Sequence, residues 1–250
     1  MVTIPGPNAY LSMTNIIATT ITTITTKMKT VAAPKKKAPA RFPRAEKNII
    51  AIYQQATADE LQGGLDWYED ANNFCKAQAR IFGLSLEVVA GIVSSLSPGT
   101  DWERNKADAV QVMKGNTQHK CGTYGQNVEK ARRICAEATV DNVAGFFPAD
   151  KTFNFYHNII NPALADYVTV DRHALSVALG AVRDDKSITK VEYRELATAY
   201  RKAAKKLGIL PAQCQAVTWV VWRNAKGMKS KYTLQDMLAQ RTNLSLGQPA

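Results

Sequence analysis

The chain has no Cys-x-x-Cys pair, no acid before Glu46, and no apolar run approaching the eighteen residues needed to span a bilayer. Its four cysteines, Cys75, Cys121, Cys135 and Cys214, are scattered. That spacing speaks against a zinc site and against an iron–sulfur cluster. It also provides no disulfide framework, which a chain of 250 residues does not need, and it points to a reducing compartment. No internal repeat is present, so a solenoid is excluded. No membrane association is expected.

What the chain has in excess is positive charge. Of the net +11, about +7 falls within Met1–Lys47, which holds eight Lys/Arg and one acid. A basic tail on a mildly basic body suits a polyanionic partner such as nucleic acid. Thr19–Thr26 is a Thr/Ile stretch of low complexity, and Ala32–Arg44 mixes proline, alanine and cations. Such sequence buries too little apolar surface to offset chain entropy, which predicts a disordered basic arm over 1–45. A helical domain over 46–228 and a C-terminal tail over 229–250 complete the expected organisation.

Within the body, apolar residues recur at helical spacing over Ala45–Gln55 and Gly64–Phe82. Leu86–Leu96 is apolar nearly all round, as a buried central helix would be. Thr100-Asp101-Trp102-Glu103 has the form of a capping box opening a helix to about Met113. Further helices are predicted over Asn127–Ala138, Lys151–Ile160 and Arg172–Leu179. Thr189–Glu192 repeats the capping pattern before a helix to Leu207, which Gly208 ends. Pro211 suits the first turn of a last helix reaching about Arg223. Only Tyr167–Val170 reads as extended, and one short stretch makes no sheet. The fold class is all-α.

Two ionisable residues stand at helix starts. Lys151 follows the turn Phe147-Pro148-Ala149-Asp150, and Asp171 follows the extended segment Tyr167–Val170. One helix and one crossing segment separate them, an arrangement able to bring an amine and a carboxylate into a shared cleft. Alone, an Asp before a helix is an ordinary N-cap and a first-turn Lys is ordinarily solvated.

Four segments in order change that balance. They are Ser95–Asp101 with Asn105-Lys106-Ala107, then Tyr124–Ala131, then Lys151, then Val170-Asp171-Arg172-His173. Together they resemble the helix-hairpin-helix-GPD superfamily of DNA glycosylases, the endonuclease-III-like branch in particular. The resemblance covers Leu86–Gly180 and, more loosely, Glu192–Arg223. It implies a two-lobed helical fold with Lys151 at the hairpin lysine, Asp171 at the catalytic aspartate, and DNA as partner. Pro148 and Ala149 fall where the family hairpin meets DNA.

The family hairpin reads Leu-Pro-Gly-Val-Gly, with glycines that let backbone N–H groups approach a phosphate. Here that stretch lacks glycine and adds Asp150, so the expected hairpin is degenerate. The branch's four-cysteine cluster loop is also missing.

The implied reaction breaks an N-glycosidic bond. Asp171 would stabilise the positive charge that builds on the sugar. Lys151, as a neutral amine, would attack C1′ and form a Schiff base in a further abasic-site lyase step. Asp150 beside it opposes neutralisation. A base taken out of the stack needs an aromatic pocket, for which Trp219, Trp222 and Tyr156 are candidates. Gln215, Trp219 and Arg223 recur at four-residue spacing and share one helix face, while His173 would touch the cleft or the DNA backbone. No small-molecule cofactor is called for, and a bacterial or phage-infected cytoplasm is the expected location. Two other readings stand beside this one: a phage enzyme acting on hypermodified thymine in DNA, and a non-catalytic DNA-binding protein of the same fold.

Overall fold

The computed structural model describes residues 41–183 and 187–227. The arm expected over 1–45 falls, but for its last residues, outside the described residues, and so does the tail expected over 229–250.

The described residues form α1 (Ala45–Tyr53), α2 (Ala58–Phe82), α3 (Leu86–Leu96), α4 (Trp102–Met113) and α5 (Gly125–Glu137). A short 3-10 helix (Val143–Phe146) precedes α6 (Asp150–Ile160), α7 (Arg172–Leu179), α8 (Lys190–Leu207) and α9 (Pro211–Ala225). No strand occurs among them, so the protein is all-α there.

Local chemistry explains most of these boundaries. Thr57 caps α2 through a capping box with Glu60, which starts this helix six residues before the expected Gly64. The α4 start is a correction of one residue: Asp101, not Thr100, accepts the Arg104 N–H at 2.9 Å. The carboxylate lies in register with the third helical N–H, whereas the Thr100 hydroxyl is turned to the Asp101 carbonyl. Thr189 and Glu192 form the expected box at α8, and Gly208 closes it in the left-handed region at φ 72°. Val168–Val170 is buried but pairs with no strand. Its N–H groups are met by side chains instead, Val168 by Asn154 Oδ1 at 3.3 Å and Val170 by the Tyr193 hydroxyl at 3.1 Å.

Two hydrophobic clusters form. The first gathers α2, α3, α4, α5 and α6 around Val89, Ile92, Val93, Leu96 and Ile134. In α3 every residue from Val88 to Leu96 is buried, as its all-round apolar character requires. The second gathers α1, α7 and α8 around Ile49, Leu175, Leu196 and Tyr200. Helix α9 serves both, placing Ala212 and Ala216 in the first cluster and Cys214 and Trp222 in the second. Its seat against α2 is close: a Cβ on Gly64 would lie 2.4 Å from Val217 Cα.

Candidate active site between the two clusters

A cleft of about 930 Å³ opens between side chains of both clusters, and Lys151 and Asp171 both line it. Lys151 sits in the first turn of α6, half-buried. Asp171 is the N-cap of α7, its Oδ1 accepting the Ala174 N–H at 2.8 Å. Its Oδ2 accepts the indole N–H of Trp219 at 3.3 Å. Both carboxylate oxygens are thus held, one by backbone and one by side chain, and the group is oriented before any ligand arrives.

Tyr193 ties the two ends together. Its hydroxyl accepts the Val170 N–H and lies 2.7 Å from the Val168 carbonyl and 3.3 Å from that of Asp150. The start of α6 and the segment leading to Asp171 therefore share one anchor. Burial raises the Tyr193 pKa, so the anchor stays a neutral hydroxyl.

Aromatic rings form the apolar wall. Trp67 packs 5.1 Å from Trp102, 5.8 Å from Phe155 and 6.4 Å from Trp219, centroid to centroid. All four line the cleft. On the Trp219 face the Arg223 guanidinium stacks at 4.4 Å, and His173 meets the same ring edge-on at 6.4 Å. Burial lowers the His173 pKa; the cations Arg172, Arg223 and Lys151 add to this and Asp171 opposes it. The imidazole is neutral at neutral pH. Burial likewise lowers Arg223, against the opposing pull of Asp171 and Asp101.

Of the residues expected in a base pocket, Gln215, Trp219, Arg223 and His173 line the cleft, with Ala149 at its edge. Three do not. Trp222 is buried in the second cluster, its position about 60° round α9 from Trp219 being enough to turn it from the cleft to the core. Tyr156 is buried in the first cluster, stacked on Phe147 at 5.4 Å. Pro148 is exposed and lies off the cleft. Trp67, Trp102 and Tyr193 were not anticipated. Nor does the hairpin segment carry a left-handed turn: Gly145 lies outside the positive-φ region, and Ala149 caps α6 with extended backbone and no side-chain bond.

A loop from the far side of α4 completes one rim. Asp108, its side chain fully buried, accepts from Arg104 Nε at 2.8 Å, His119 Nε2 at 2.7 Å and the Gly122 N–H at 2.7 Å. Thr123 then bonds the Pro98 carbonyl at 2.5 Å, which brings Tyr124 to the cleft. Asp108, His119 and Cys121 place donor atoms within 4.8 Å of one another, the spacing of a metal site. The donor set does not fit one. Three hydrogen bonds, one from a guanidinium, already fill the carboxylate, and burial together with Asp108 raises the Cys121 thiol. The cluster is a loop anchor.

Burial alone would raise the Asp108 pKa, but the bonds from Gly122, His119 and Arg104 outweigh it and hold the carboxyl below its ordinary value. Its contribution to stability is complete above the unfolded pKa of about 3.9 and is lost as pH falls below that, through the lower folded value. Asp108→Asn is expected to cost roughly 2–3 kcal/mol at pH 7 and clearly less at pH 3. Urea melts of both proteins at the two pH values measure this, and an equal cost at both would contradict it.

No single helix among the described residues is long and apolar enough to cross a membrane. The model of one protein family, the Family of unknown function (DUF7178), matches residues 31–226, from the basic segment before α1 to the end of α9. The chain belongs to DUF7178. No curated protein and no solved structure gives a significant match.

Proposed function

We propose that this DUF7178 protein is a DNA N-glycosylase that removes a modified or damaged base, with abasic-site lyase activity as a second step. One observation carries the reading: an amine and an oriented carboxylate, Lys151 and Asp171, line one cleft walled by tryptophans. A flipped base stacks against Trp67, Trp102 or Trp219, every base having a π-face to offer. Asp171 faces the sugar and stabilises positive charge at C1′ as the bond to the base breaks. Water attack at C1′ then leaves an abasic site. In the lyase step the Lys151 nitrogen adds to the C1′ aldehyde of the opened abasic sugar, water leaves as the Schiff base forms, and loss of a C2′ proton expels the 3′ phosphate. Arg172, Lys190 and Arg223 supply cations around the cleft for the flanking phosphates.

The degenerate hairpin favours a second substrate for the same machinery. Without a left-handed glycine between Val143 and Asp150, no backbone cradle for a phosphate of scanned duplex forms there. That suits an enzyme working on hypermodified thymine in phage DNA.

Borohydride reduction during incubation with an abasic duplex tests the proposal. A covalent protein–DNA adduct is expected for the native protein, with at least about a hundredfold less for Lys151→Ala. Adduct of equal yield from Lys151→Ala would remove Lys151 from the chemistry. DNA binding with neither adduct nor base release, on abasic, damaged and hypermodified substrates alike, would establish the non-catalytic alternative.

A further inference from the structure

Beneath the cleft lie buried polar side chains that are hydrogen-bonded in two pairs. Asn158 Nδ2 donates to Thr169 Oγ1 at 3.1 Å. Tyr68 donates to Gln215 Oε1 at 3.0 Å. Burial raises the Tyr68 pKa, so the phenol keeps its proton and has an O–H to donate. All four side chains are at least nine-tenths buried. The Gln215 amide oxygen thus accepts from Tyr68, which leaves its NH₂ group for the cleft that the residue lines.

A second amide in the same cleft has the opposite polarity. Asn105, 2% exposed, spends its NH₂ on the Val93 carbonyl at 3.2 Å, and its Oδ1 has no partner. A buried polar atom left unpaired costs free energy, so the unmet Asn105 oxygen, in a cleft that also offers the Gln215 NH₂, calls for a ligand with an N–H to give.

We propose that Gln215 is a specificity-determining residue that selects oxo bases, whose lactam edge offers a carbonyl oxygen to the Gln215 NH₂ and a ring N–H to Asn105 Oδ1. The amino tautomers of cytosine and adenine present a donor where Gln215 already donates, and an unprotonated ring nitrogen where Asn105 already accepts. They are rejected by two clashes of like polarity. This rests on the reading of the cleft as a nucleobase pocket, and adds to it a chemical class of base.

The test uses free bases as probes, so that it does not depend on turnover. Uracil against cytosine, and hypoxanthine against adenine, are titrated into the full chain while the indole N–H signals of Trp67, Trp102 and Trp219 are followed by NMR. The oxo member of each pair is expected to bind at least about tenfold more tightly. Gln215→Met, which keeps the length and removes the donor, should bring that ratio close to one. Tyr68→Phe should do the same by freeing the amide to turn over, chiefly by improving binding of the amino member; a merely structural role would weaken both members alike. Equal binding of both members to the native protein, binding of neither, or an unchanged ratio in folded Gln215→Met overturns the proposal. Oxo preference without base release from any DNA would instead remove the glycosylase reading and leave this one standing. Base release with no oxo preference would do the reverse.

Discussion

Asp171→Asn is expected to lower base release by about 10²–10³-fold while the fold and DNA binding persist. The separation follows from the two jobs the carboxylate holds. As N-cap it accepts the Ala174 N–H at 2.8 Å, and Asn caps a helix about as well as Asp, so α7 keeps its start. As a charge it faces the cleft, and the neutral amide cannot offset positive charge developing on a sugar. Its second oxygen would become an NH₂ set against the Trp219 N–H, an opposition that turns the indole and shifts its fluorescence. Single-turnover base release on the substrate identified, beside anisotropy for binding and a thermal melt, measures all three. Release within about threefold of the native rate would take Asp171 out of the reaction.

The largest effect on stability is expected at Gly64, far from any charge. Its Cα faces the backbone of Val217 where α2 meets α9, and an added methyl would stand 2.4 Å from Val217 Cα and 2.7 Å from its nitrogen. Backbone cannot rotate aside as a side chain would, so the two helices must part. Overpacking ordinarily costs about 1–3 kcal/mol, and a clash with main chain belongs at or above the upper end. Gly64→Ala is therefore expected to lose roughly 3 kcal/mol and about 6–12 °C in Tm. Gly125→Ala, where a Cβ meets nothing within 4 Å, is the matched control and should be neutral. A Gly64→Ala protein melting with the native one would refute this account of the α2–α9 contact.

Local chemistry made much of this legible from the sequence. Thr189 with Glu192, Gly208, Pro211 and Asp171 each act within one helical turn, so their roles need no knowledge of the fold. The sharing of a cleft by Lys151 and Asp171 was reachable because only one helix and one crossing segment intervene. What stayed hidden depends on which way an amphipathic helix is rotated against its neighbours. Trp219 and Trp222 look alike in sequence, and only the seat of α9 between two clusters sends one to the cleft and the other to the core. Nothing in the sequence singles out Trp67 and Trp102, for the same reason. The Thr57 box escaped notice because polar residues follow it, so the apolar period begins a full turn after the helix does. Tyr193 anchors two segments 23 and 43 residues away, a relation that no spacing rule contains.

Helix α9 has no idle side. Swinging one lobe away from the other about this helix would strip Ala216 from one cluster or Cys214 and Trp222 from the other, and each exposes apolar surface to water. A hinge motion about this helix would therefore carry a cost in apolar surface. Lys190, Arg172 and Tyr124, all exposed at the cleft, are the side chains that can turn at its lip without disturbing either cluster.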